Sequence, residues 1–253
     1  LLVATFYVFT AKDIYRAETT LTPTTSSDNK SNDLLRQLGG VTNIIGIGQD
    51  DFTNDKAMTL AILHSRTFTD SFIKDKGIVD TLTENNNDTL SKPLTETEKQ
   101  WQAYNRFDSS VRKTSINPKN GIITLSIEWE DPLIAADWAN SLVKRLNKHM
   151  QSTAIHEAEK SIIYLNEQLN KTSVIELHSV INRLIESQVK KITLANVNEQ
   201  YALKVIDPAI PPQEKIRPQR KLVIILSIIA GIMFGIFLAF LLNFINKVRT
   251  TEK

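Results

Sequence analysis

Four histidines, a knot of carboxylates and two groups of glycines are the residues in this chain with the chemistry for a metal site, a hydrolytic centre or a phosphate cradle. His149 and His156 fall seven residues apart in a helical pattern. At 1.5 Å of rise per residue that is about 10.5 Å, too far for one Zn²⁺ to use both imidazoles. No His-Glu-x-x-His pattern brings in His64 or His178, so all four read as surface or interface histidines. Glu128, Glu130 and Asp131 surround Trp129, an arrangement of carboxylates that glycoside hydrolysis uses. Glu128 and Glu130 alternate with Ile127 and Trp129, however, which places them on the solvent face of a strand. Trp101, Trp129 and Trp138 could stack on sugar rings, yet core packing suffices at each position. Gly39-Gly40 and Gly46-Ile-Gly48 lack the third glycine and the Gly-Lys-Ser/Thr ending of a phosphate loop, and read as flexible loop. With no cysteine there is neither disulfide nor thiolate ligand. The expectation is a protein that is not an enzyme, with no catalytic residue, cofactor or metal.

What positions the rest of the chain is a membrane. Residues 222–245 are apolar apart from Ser227 and Asn243, and about 20 such residues cross a bilayer core of roughly 30 Å. Residues 1–11 open on Leu-Leu-Val-Ala-Thr-Phe-Tyr-Val-Phe without a methionine, and read as the end of a first span cut off upstream. No small-residue cleavage site follows, so they are not a signal peptide. Everything between is then one loop anchored at both ends, with a short tail, residues 246–253, that has no room for a domain. Lys215, Arg217, Arg220 and Lys221 precede the span and Lys247, Arg249 and Lys253 follow it, so the positive-inside rule gives no vote on orientation. A net charge of +2 without a basic stripe in the folded part excludes a nucleic-acid partner.

Within the loop, residues 14–21 read as a strand and the Ser/Thr/Asn/Asp run from Thr22 to Asp33 as a loop. Apolar spacing predicts a single helix over residues 54–73, ended by Gly77, then a polar loop at 84–88. Thr95-Glu-Thr-Glu98 is a capping box for a helix to about Val111. Residues 115–129 read as two strands around a turn at Asn120-Gly121. This alternation gives an α/β or α+β domain over residues 12–131. Asp131-Pro132 then starts a helix as N-cap and first residue. Apolar residues at steps of three or four, with no Gly or Pro between, carry it for roughly 38 residues or about 57 Å, far beyond the usual helix length, so it projects from the core. Its steps drift with a right-handed sense, against a strict heptad. Asn170-Lys-Thr-Ser173 breaks it, and Ser173-Val-Ile-Glu176 is a second capping box that starts a returning helix to about Ala195. Residues 132–198 therefore form a helical hairpin, and residues 199–207 return as a strand able to pair with the first.

Two helices cannot bury every face of such a hairpin. Ala139, Leu142, Leu146, Met150, Ala154, Ala158 and Ile162 are candidate contacts between copies of the chain, with packing on the chain's own core as the alternative. Pro208, Pro211, Pro212 and Pro218, with Arg220, make residues 208–221 an extended, stiff strut into the span. Gly231 and Gly235 form a small-xxx-small pattern that lets span helices approach.

In order along the chain stand Tyr15-Arg-Ala-Glu, Leu60-Ala-Ile-Leu-His-Ser-Arg66, Gly121-Ile-Ile-Thr-Leu-Ser-Ile-Glu before Asp131-Pro132, Ala135-Ala-Asp-Trp-Ala-Asn-Ser-Leu-Val143, and Val205-Ile-Asp-Pro-Ala209 before the prolines. With this series the chain resembles the Wzz-type chain-length determinants, or polysaccharide co-polymerases. The resemblance implies an α+β fold: a membrane-proximal α/β periplasmic domain with a long projecting helical hairpin, flanked by two transmembrane helices. It implies an inner-membrane protein with both termini cytoplasmic, a ring-like homo-oligomer touching membrane lipid, and partners in a polysaccharide polymerase and its growing glycan. Its expected role is to regulate the modal length of O-antigen, capsule or exopolysaccharide without performing glycosyl transfer. A polysaccharide export adaptor and a membrane-anchored sensor ectodomain are the alternatives; the short tail argues against the sensor.

Overall fold

Strand β1 (Ile14–Pro23) forms the middle of the sheet because its β-branched and small residues alternate, with Ala17, Thr19 and Leu21 buried on one face. In this computed structural model residues 11–24, 50–87 and 94–219 are described, together with 225, 227, 229–235 and 237. The glycines at 39–48, the opening residues 1–10 and most of the 22–33 loop lie outside the described residues.

Helices α1 (Asp50–His64) and α2 (Arg66–Lys76) replace the single helix expected over 54–73. The break is at Ser65, which is extended and whose Oγ accepts from the Phe68 amide, so it caps α2 instead of continuing α1. Gly77 ends α2 at φ 65°, in the left-handed region that suits glycine. Helix α3 (Val79–Asn87) runs into the polar stretch expected as a loop. The capping box at Thr95 and Glu98 forms as expected and opens α4 (Glu96–Arg106), which passes through a π turn at Phe107–Val111.

Strands β2 (Arg112–Ile116) and β3 (Ile123–Trp129) pair antiparallel, and Gly121 takes φ 68° in the turn between them. Arg112 is buried at the start of β2. Its Nη1 donates to the Leu63 carbonyl at 2.6 Å and to Thr69 Oγ1 at 3.0 Å, and its Nη2 to Asp108. One guanidinium thus joins the end of α1, the body of α2 and the π turn.

Helix α5 (Pro132–Lys171) is 40 residues long, with Asp131 Oδ1 accepting from the Leu133 amide at 2.7 Å and the Ile134 amide at 3.2 Å. Its first third lies on β1 and β3, where Ala135, Trp138, Ala139, Leu142 and Leu146 are buried, each large apolar side chain contributing about 2 kcal/mol. Beyond Ala158 no residue of α5 is buried. Helix α6 (Ile175–Val197) packs back along α5, giving the expected hairpin. The second capping box does not form: Val174 is the N-cap and makes no side-chain bond. Thr172 closes the bend instead, accepting from the Val174 amide through Oγ1 and meeting His178 Nε2 through its carbonyl at 2.8 Å.

Strand β4 (Leu203–Asp207) pairs antiparallel with β1, Leu21 facing Val205. The proline segment is not a free strut. Strand β5 (Lys215–Arg217) within it pairs with Ile14 and Tyr15, so β4 and β5 lie on the same edge of β1, with Pro208, Pro211 and Pro212 in the segment between them and Pro218 directly after β5. Prolines suit that edge because they lack the amide that a ladder needs. Among the described residues no helix is long and apolar enough to cross a membrane. Most of the span expected at 222–245 lies outside them, while residues 229–235 are helical.

Candidate functional site

Pairing of β1 with β5 sets residues 14–15 beside residues 215–217. The two segments that lead toward the expected membrane spans thus leave the fold side by side. Arg16 and Glu128 are directly opposed across β1 and β3. Arg16 donates to Glu128 Oε1 at 2.6 Å from Nη2 and 3.0 Å from Nε, while Arg217 Nη2 reaches Oε2 at 2.7 Å. Glu128 was expected on a solvent face; its side chain is only 3% exposed because both arginines cover it. Around this pair Lys12 meets Glu130 at 2.9 Å and Lys215 meets Asp13 at 2.9 Å. Of the three carboxylates suggested for hydrolytic work, Glu128 and Glu130 are engaged with cations and Asp131 caps α5; Glu128, through Arg16 and Arg217, links the two chain ends.

The returning chain is fastened to α5 by three amides. Asn147 Nδ2 donates to the Leu203 carbonyl at 2.8 Å, and its Oδ1 accepts from the Ala202 and Leu203 amides, each at 2.8 Å. Asn140 exchanges bonds with both backbone groups of Ala209, at 2.8 and 3.0 Å. Gln151 Nε2 donates to the Ala195 carbonyl at 2.5 Å. Sequence reading passed over these residues, although polar side chains at i, i+7 and i+11 along an apolar stripe are a signal that buried partners exist.

Of the prolines, Pro208 and Pro211 are exposed and Pro212 and Pro218 half-buried; Arg220 lies outside the described residues. Gly231 and Gly235 are exposed, and a Cβ on either would meet nothing within 4 Å. The candidate contacts between copies divide along α5. Ala139, Leu142 and Leu146 are wholly buried in the chain's own core, which corrects their expected role: no surface is left for a second copy. Ala154 and Ala158 are also buried, along the stretch of α5 that carries α6, whereas Met150 and Ile162 are half-buried. Exposed apolar side chains on the hairpin lie further out, on Ile163 and Tyr164 of α5 and on Leu177, Val180, Leu184 and Val189 of α6, and also at Leu133 and Ile134 where α5 starts.

The tryptophans likewise separate. Trp129 and Trp138 are buried with ring centroids 4.9 Å apart, whereas Trp101, where core packing was expected to suffice, is 54% exposed. His149 lies 6.0 Å from Phe68, centroid to centroid, and His178 binds the hairpin bend. His64 Nε2 meets Thr114 Oγ1 at 2.7 Å, and its Nδ1 lies 3.6 Å from Asp108. Burial, followed by the charge of Arg112, holds its pKa below the ordinary 6.5 against the opposing pull of Asp108. Among the described residues no group of three or more His, Asp or Glu side chains is placed to hold a metal ion.

Residues 176–244 match the family model described as G-rich domain on putative tyrosine kinase. No curated protein matches the chain. Among solved structures, a full-length bacterial polysaccharide co-polymerase is similar at 13% identity and a TM-score of 0.36, covering 92% of this chain and 87% of its own. A fragment of WzzB, a polysaccharide co-polymerase from Salmonella Typhimurium, is similar at 8% identity and a TM-score of 0.36, covering 81% of this chain and 100% of its own. A mutant of the Shigella flexneri lipopolysaccharide O-antigen chain-length regulator is similar at 10% identity and a TM-score of 0.26, with 80% and 100% covered. At this level of likeness no residue role is carried over.

Proposed function

We propose that this chain, which resembles the Wzz-type polysaccharide co-polymerases, regulates the modal length of a bacterial surface polysaccharide as an oligomeric periplasmic scaffold beside a membrane polymerase. The observation that carries the reading is the pairing of β5 with β1 at the foot of the sheet, with a 40-residue helix rising from the same sheet. A clamp that holds two membrane legs together and a hairpin that reaches far from them form a spacer, whose useful property is its dimensions. The carboxylates nearest the foot are neutralised by lysine and arginine, which fits a structural part better than a hydrolytic one.

Deleting the gene is expected to change the length distribution of the polymer while synthesis continues. A polysaccharide ladder that kept its mode on a gel after deletion would sink the proposal. The glycines of the expected span add a narrower test. Because a Cβ at Gly231 or Gly235 would meet nothing within 4 Å among the described residues, replacing both with leucine is expected to leave the fold of residues 94–219 intact and to alter contacts between spans. Unchanged oligomer mass and an unchanged ladder would remove these two residues from the functional set.

A further inference from the structure

A groove of about 650 Å³ runs between α2 and the middle of α5, apart from the strand edge that clamps the chain ends. Ser141, Lys144, Arg145 and Lys148 form one wall, and their spacing of three, four and seven residues puts them on a single helix face. Phe68 is buried at the base of the groove and packs 6.0 Å, by ring centroids, from His149, whose ring is exposed. Serine and threonine hydroxyls line the α2 side, and no carboxylate is among the lining residues. Arg145 is held by Asp75 at 2.6 Å, but Lys148 meets only the neutral Gln151 at 3.1 Å. Among the described residues Lys144 has no ion-pair partner. The groove is therefore net positive and rich in hydroxyls, with one exposed aromatic ring.

We propose that this groove binds a saccharide segment carrying carboxylate or phosphate groups. Lysine ammoniums suit either anion as point charges. Hydroxyl side chains match sugar hydroxyls, and the exposed His149 ring offers a surface to the C–H face of a pyranose. Inorganic phosphate alone has no use for that surface. The inference rests on the reading that the chain works beside a growing glycan, and adds to it the charge of the glycan and the place where it is held.

The test uses the full chain in detergent, titrated with labelled oligogalacturonate, a polyribitol phosphate oligomer and neutral isomaltoheptaose. At least one anionic oligomer is expected to bind, more weakly as salt is raised, and the neutral one not to bind. Which anionic oligomer binds more tightly distinguishes carboxylate from phosphate. Lys144→Glu with Lys148→Glu is expected to weaken that binding by about tenfold or more, and Lys144→Gln with Lys148→Gln by less. Equal binding of neutral and anionic oligomers, absence of anionic binding, or full binding by the charge-reversed protein overturns the proposal. So does inorganic phosphate that displaces the oligomer at equal concentration, which marks a simple anion site. Loss of oligomer mass in the charge-reversed protein, with glycan binding retained, assigns the groove to contact between copies and also overturns it. The ladder after gene deletion is read separately, so failure of the length-regulation reading and failure of the groove are distinguishable.

Discussion

Two arginines from opposite ends of the sheet-forming chain converge on Glu128, whose side chain is almost wholly buried while Arg16 and Arg217 remain 40% and 61% exposed. The carboxylate has given up its water, so removing its charge weakens three charge-assisted bonds, two from Arg16 and one from Arg217; the half-exposed arginines recover some hydration. Glu128→Gln is therefore expected to lower stability by about 1–2 kcal/mol, below the cost of breaking a fully buried pair. A thermal melt measures it, and a double-mutant cycle with Arg217→Ala shows how much of the loss passes through the clamp. His64 gives a prediction that depends on pH. Its folded-state pKa is depressed, chiefly by burial and then by Arg112, so the unfolded chain takes up the proton first. Stability is then lost as pH falls through about 6.5 and is fully present above it. His64→Gln should flatten the fall in urea midpoint between about pH 7.5 and 5.5 relative to the unsubstituted protein; an identical slope in both would place the titration elsewhere.

Among the elements, α5 was legible because its signals are local and agree: Asp131 caps, Pro132 starts, and neither Gly nor Pro interrupts the stripe. The hairpin at Asn120-Gly121 was legible for the same reason. Ser65 was missed because Leu60, Leu63, Phe68 and Phe72 keep a helical rhythm across it; its cap is a local bond from the Phe68 amide, while the Arg112 guanidinium that braces the break reaches it through a tertiary contact. Strand β5 was hidden by its flanking prolines, since three residues carry no readable period. The apparent capping box at Ser173 and Glu176 had the right spacing, but Thr172 closed the bend first. Asn147 is the clearest element-scale test, because it satisfies three backbone groups of the returning chain from inside the core. Asn147→Leu keeps the approximate volume and leaves those groups unpaired, which is expected to cost about 2–4 kcal/mol. Hydrogen exchange should show the loss first at the Ala202 and Leu203 amides. Unaltered protection there would mean that the β4 ladder alone holds the return leg.

For the whole molecule, the decisive question is where copies of the chain meet. The near part of the stripe on α5 is consumed by the chain's own core, which leaves the outer hairpin as an exposed apolar surface for contact between copies. Leu177, Val180 and Leu184 are each about half-exposed and lie at i, i+3 and i+7 on α6, which makes one apolar ridge. A ridge of this kind on a helix far from its own core is poorly explained by folding, because the chain gains little by leaving it in water. Association of copies would bury it. Replacing Leu177 and Leu184 together with glutamate is therefore expected to leave the melting of the sheet domain nearly unchanged, within about 1 kcal/mol, since neither side chain is part of the core. The same substitution should reduce the native mass of the full chain and shift the polymer ladder toward that of the gene deletion. A lowered mass with an unchanged ladder would separate assembly from length control. An unchanged mass would take this ridge out of any contact between copies, and Gly231 and Gly235 then become the next residues to replace.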